Sequence, residues 1–235
     1  MAHLSLSLAS FLLLGAVLFG QVPPAEPLIP SAASLQIEDE PGLPRVLLVG
    51  DSISLGYTRP VRERLRGQAN VHHPAENCGD TGRGLKKLAT WLGDRPWDVI
   101  VFNFGLHDLK YLDAAGKYVS PSEGQQVTPL PRYEANLREL VSRLKKTGAK
   151  LFFATTTPVP DDSLGRVAHD ERAYNETAQR VMADEKIPVV DLWSAIVPRQ
   201  SDLQLPHNVH FTKEGYELLG DAVTANIRPL LPPKR

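Results

Sequence analysis

From residue 45 onward the chain alternates between two hydrophobic rhythms. Short, nearly continuous apolar runs at 45–49, 70–74, 99–104, 150–155 and 188–192 have the pattern of strands covered on both faces, as in a parallel sheet. Between them, 59–66, 84–92, 133–146, 170–185 and 213–226 carry apolar residues at spacings of three and four, the period of a helix with one buried stripe. In the third of these, Leu137, Leu140, Val141 and Leu144 form the stripe and Gly148 ends it. Strand and helix in strict alternation predict a three-layer α/β/α domain, a doubly wound, five-stranded parallel sheet with right-handed crossovers. In such sheets the working residues lie on loops at the carboxyl ends of the strands.

The front of the chain follows neither rhythm. Leu4 to Phe19 is an apolar stretch of Leu, Ala and Ser, followed by Gly20-Gln21 and a proline-rich segment. Residues 1–20 are expected to be a secretory signal peptide, 21–44 a flexible linker and 45–235 the folded domain, of a secreted or periplasmic protein. The start has His3 and no Lys or Arg, so a retained membrane anchor is the alternative, but the run is short for a bilayer span. With the signal removed, no stable membrane partner is expected.

Composition narrows the chemistry. The 26 basic and 27 acidic residues leave a net charge of −1, so there is no basic field to hold nucleic acid, and a neutral or small substrate fits better than a polyanion. Cys78 is the single cysteine, which excludes an internal disulfide and a cysteine-cluster metal site.

The candidate chemistry lies after the strands. Gly50-Asp51-Ser52-Ile53-Ser54 follows the first, Asn77-Cys78-Gly79-Asp80-Thr81-Gly82 the second, Gly105-Leu106-His107-Asp108 the third, and His207-Asn208-Val209-His210 the fifth. A serine on a turn after a strand and a late histidine can supply a nucleophile and its general base. Thr212 is a good helix N-cap and would hold His210 just outside the last helix, its ring facing Ser52. Asp51 and Asp108 read as braces of their loops. The 109–132 segment, with Tyr111 and Tyr118, is long enough for a lid, and Thr155 to Pro160 is a second candidate wall. Arg83, Trp91 and Trp97 are sugar-binding candidates, although the tryptophans fit core or helix positions better.

Taken together, these four blocks resemble the GDSL or SGNH hydrolase superfamily over the chain from Arg45 to about Leu231. The resemblance implies a flavodoxin-like sheet and a serine esterase without a cofactor, acting on small acyl esters. The substrate it favours is a small molecule or carbohydrate carrying O-acetyl groups; a lipid or lysophospholipid ester is the alternative. It makes Ser52 the nucleophile and His210 the base. It assigns the oxyanion hole to the backbone N–H of Ser52, the backbone N–H of Gly82 and the side chain at 107. There this chain has His107 in place of the family's usual Asn, and an imidazole can donate only if another group holds its tautomer.

The larger departure is three residues before the base, where the family has Asp and this chain has His207. The candidates for orienting His210 are then His207 as a neutral acceptor, a backbone carbonyl, or Asp202 from the preceding loop. Without an effective acid, a catalytically weak or vestigial binding protein is the competing reading. His107, His207 and His210 sharing one cleft also raises a metal site as an alternative, although none of these spacings marks one.

Overall fold

The structure is a computed structural model that describes residues 28–233. The expected signal peptide and its cleavage point fall outside the described residues. Five parallel strands form the central sheet: β1 (Arg45–Val49), β2 (Asn70–His72), β3 (Val99–Phe102), and, after a two-stranded ribbon of β4 (Tyr111–Leu112) and β5 (Gln125–Gln126), β6 (Lys150–Ala154) and β7 (Val189–Val190). The order is β2-β1-β3-β6-β7, with Leu47 opposite both His72 and Ile100 and Phe102 opposite Phe153. This is the doubly wound topology the alternating pattern predicts, and the apolar strand residues are buried as two-faced coverage requires.

Helices α1 (Ser52–Arg64), α2 (Thr81–Leu92), α3 (Leu130–Lys145) and α4 (Glu171–Asp184) follow the strands. The short α5 (Leu192–Ile196) and α6 (Gln200–Leu203) and the long α7 (Lys213–Ile227) complete the chain. The expected stripe of α3 is fully buried. Three helices begin earlier than expected, α3 at Leu130 rather than 133, with Pro131 in its first turn. α1 starts at Ser52 rather than 59, because the Asp51 side chain accepts the Ile53 N–H and caps it there. Its first turns are buried nearly all round, so no amphipathic period marks them in the sequence. α2 starts at Thr81 rather than 84, capped by Asp80 on the Arg83 N–H at 3.0 Å, although Gly82 and Gly84 are weak helix formers.

The 21–44 segment is not a free linker over its described part. Leu35 is buried, the Arg62 guanidinium donates to the Leu35 carbonyl, and Asp39 binds His72 Nε2 at 2.6 Å and Arg45 at 3.0 Å. Side chains of β1, β2 and α1 hold this proline-rich stretch against the sheet edge.

α1 and α7 pack together through glycines. A Cβ on Gly56 would overlap the Tyr216 ring, and one on Gly220 would come to 2.5 Å from Pro60 Cβ. This close approach matters to the site, because Ser52 opens α1 and His210 lies just before α7. Gly56→Ala is expected to destabilise the fold by about 2 kcal/mol through overpacking, read as a lower urea midpoint.

Candidate active site

Ser52 is the first residue of α1, and its Oγ lies 2.8 Å from His210 Nε2. The loop carrying His210 is pinned from several sides. Gln204 Nε2 donates to the Pro158 and Val209 carbonyls, the Leu205 N–H donates to the His210 carbonyl, and Thr212 caps α7 by accepting the Gly215 N–H. The cap expected at Thr212 is thus present.

The proton positions on His210 follow from Asn208. Its Oδ1 accepts the His210 backbone N–H at 3.1 Å and lies 2.8 Å from His210 Nδ1. A backbone N–H can only donate, so the amide oxygen faces the ring and Nδ1 must carry the proton. Nε2 is then the lone-pair nitrogen, aimed at the Ser52 hydroxyl. Burial, and after it the Arg166 charge, hold the His210 pKa below its ordinary value, which keeps the ring a neutral base at neutral pH.

None of the three orienting groups expected from the sequence does this: the acceptor on Nδ1 is a side-chain oxygen and not a backbone carbonyl. His207 sits in a turn with φ of +55° and its side chain is 67% exposed, with Nδ1 donating to the Asp161 carbonyl at 3.3 Å. His207 lines the same cavity as Ser52, His107 and His210, but its ring makes no hydrogen bond to His210. Asp202 is exposed on α6, where it accepts the Ser201 hydroxyl at 3.2 Å. Asn208 was legible as a short polar side chain two residues before the base, the spacing at which Asx side chains bind backbone N–H groups. Among the described residues no three His, Cys, Asp or Glu side chains group closely enough to hold a metal ion.

Ser52, His107 and His210 line one cavity of about 490 Å³, with Asn77, Tyr118 and Arg166. His107 Nδ1 is 3.2 Å from the Lys110 ammonium. An ammonium has no acceptor, so Nδ1 takes its hydrogen bond and the proton sits on Nε2. Burial first, then the nearby Lys110, Arg166 and His210, push the His107 pKa down to about 3, so the ring stays neutral and donates a single N–H from Nε2. The tautomer condition set by the sequence is met by Lys110. Lys110→Met is expected to lower kcat for an ester about tenfold with less change in KM, and Lys110→Arg to recover most of it; unchanged kcat in the methionine variant would end the tautomer role.

Gly82 is the second residue of α2, so its N–H is one of those lacking an intrahelical partner, but it is not among the residues lining the cavity. Asn77, from the same block, does line it, with Oδ1 accepting the Gly79 N–H at 2.9 Å. Asp108 is buried and accepts the Thr81 N–H at 3.0 Å and hydroxyl at 2.5 Å, tying the His107 loop to the start of α2. Burial pushes its pKa up to about 7.

The remaining candidates separate. Tyr118, within the 109–132 segment, reaches the cavity. Thr155, Thr156 and Thr157 are buried and do not line it; Thr155 Oγ1 donates to Asp191. Trp91 and Trp97 line a different cavity of about 410 Å³ beside His72. Arg83 pairs with Glu76.

The sequence profile of the GDSL-like lipase/acylhydrolase family matches residues 48–218. A GDSL esterase/lipase of Arabidopsis thaliana, At5g62930, is 28% identical over 125 residues, covering 44% of this chain and 51% of that protein. The chain thus spans about half the length of that curated relative. The lipase/acylhydrolase from Enterococcus faecalis superposes with a TM-score of 0.65 at 23% identity, over 82% of this chain and all of that one (100%). The acetyl xylan esterase AlAXEase gives 0.64 at 16% identity, over 78% and 99%. At these identities the structural likeness is one of fold.

Proposed function

The chain belongs to the GDSL-like lipase/acylhydrolase family, and from that membership we propose that it is a serine carboxylic ester hydrolase removing small acyl groups, O-acetyl above all, from a carbohydrate. The observation that carries the reading is the 2.8 Å contact between Ser52 Oγ and His210 Nε2, with Nδ1–H fixed by Asn208. Ser52 attacks the ester carbonyl as Nε2 takes its proton, and the imidazolium then protonates the departing alcohol. Water repeats the sequence on the acyl-enzyme and frees the acid.

Charge grows on the carbonyl oxygen during attack, and donors aimed at it are commonly the largest catalytic term, about 3 kcal/mol for one. The Ser52 N–H, at the open end of α1, and the Nε2–H of His107 are the donors this reading assigns, with Gly82 as the third. Ile29, Leu164 and Val209 supply apolar wall for a short acyl chain. The acetyl xylan esterase fold neighbour and the apolar 4–19 run support a carbohydrate substrate met outside the cytoplasm. The weak or vestigial reading rested on the missing acid at position 207; Asn208 supplies a hydrogen-bond acceptor for Nδ1, which supports the esterase reading, but no charge.

The test is hydrolysis of 4-nitrophenyl acetate in the presence of EDTA, with mass-spectrometric mapping of a fluorophosphonate adduct. Turnover with the label on Ser52 is expected; absence of both would sink the serine esterase reading.

A further inference from the structure

The cavity that holds Ser52 and His210 contains a guanidinium with no acidic partner. Arg166 is half-buried on the cavity wall, its Nε donating to the Leu106 carbonyl at 3.2 Å and Nη1 to the Leu164 carbonyl at 3.3 Å. Its carbon lies 5.5 Å from the Tyr118 ring centre, and the Tyr118 hydroxyl is beside it. Two carbonyls and one hydroxyl take at most three of a guanidinium's five N–H donors. Among the described residues no carboxylate lies within ion-pair reach of Arg166, and none of the residues lining the cavity is acidic. Asp51, whose field reaches it, is buried and engaged with the Ile53 N–H. Asp162 is exposed at the rim, 3.7 Å from His207 Nδ1.

A cation partly withdrawn from water with no carboxylate in contact is costly to hold, and the cost is recovered when an anion completes it. Lys110 adds to the same field but is engaged with His107, so one guanidinium is left to meet a ligand. A planar, two-pronged donor matches one carboxylate. The near-zero charge of the whole chain conceals this, since the positive field is confined to the cavity.

We propose that Arg166 is a substrate-specificity residue and that the natural ester carries a carboxylate, as an acidic sugar does, held by Arg166 while Ser52 attacks. This rests on the esterase reading above; because the acyl group there is small and neutral, the carboxylate belongs on the alcohol portion. Arg166 also braces the Leu106 and Leu164 backbone, so the experiment must separate recognition from bracing.

Two measurements do so. The first compares kcat/KM for 4-acetoxybenzoate with that for 4-acetoxybenzamide, which differ in charge and little in shape. In the wild-type enzyme the carboxylate ester is expected to be preferred about tenfold, chiefly through KM, with the preference lost in Arg166→Met and partly kept in Arg166→Lys. Equal losses on both esters in Arg166→Met would assign the residue to bracing and overturn the proposal. The second needs no turnover: binding of benzoate and of benzamide followed by NMR titration of wild type and Arg166→Met. Benzoate is expected to bind the wild type about tenfold tighter, and the two equally in the variant. If esters are cleaved but benzoate and benzamide bind alike, the carboxylate site is wrong and the esterase stands. If benzoate binds through Arg166 and no ester is cleaved, the anion site stands and the esterase reading fails.

Discussion

Ser52→Ala is expected to lower kcat/KM for 4-nitrophenyl acetate by about four orders of magnitude, and His210→Ala by a similar factor. Both removals abolish one proton-coupled attack, since Nε2 of His210 has no substrate-directed task without the 2.8 Å hydroxyl and the hydroxyl has no base without the ring. The two losses are therefore not additive, and the double variant should be about as slow as either single one. The residual rate comes from binding and from the oxyanion donors, which both variants keep. The alanine at 52 should leave α1 intact, because its cap is the Asp51 carboxylate on the Ile53 N–H and not the serine. Steady-state rates beside thermal unfolding curves check this: full activity in the folded Ser52→Ala protein would remove the nucleophile role.

Most of the scaffold was legible because two-faced burial writes itself into the chain as uninterrupted apolar runs, and β1, β3 and β6 are of that kind. The start of α1 was not, since a helix end buried on every side shows no stripe. The last strand shrank to Val189–Val190 because Asp191 leaves the ladder to cap α5. At the site, motif order brought Ser52, His107 and His210 to one sheet edge correctly. What could not be read was where each side chain turns. His207 has the sequence position of an orienting group and lines the cavity, but in its left-handed turn its ring meets the Asp161 carbonyl, while the neighbouring Asn208 meets Nδ1 of His210. Lys110 was likewise invisible as a partner of His107, because only the turn after β3 brings an ammonium three residues on to within 3.2 Å of the ring.

Asn208 carries the second large effect. Asn208→Ala is expected to lower kcat about a hundredfold with KM nearly unchanged, since Nδ1 loses the acceptor that fixes both the tautomer and the rotation of the ring. Asn208→Asp keeps that acceptor and adds a negative charge. Wild-type His210 has a pKa below its ordinary 6.5, chiefly from burial, so the acid limb of kcat/KM lies below pH 6.5. A nearby anion favours the imidazolium, so in the aspartate variant the pKa rises and the limb moves to higher pH. Above the limb the same charge stabilises the imidazolium formed during attack, and the plateau should rise, by up to about tenfold. Position 208 is exposed, so both gains should shrink as ionic strength rises. His207→Asp is the control: the side chain at 207 makes no hydrogen bond to His210, so an acid there should neither shift the limb nor rescue Asn208→Ala. Rescue by that substitution, or a full kcat in Asn208→Ala, would return the orienting role to position 207 and show that the loop rearranges when substrate binds.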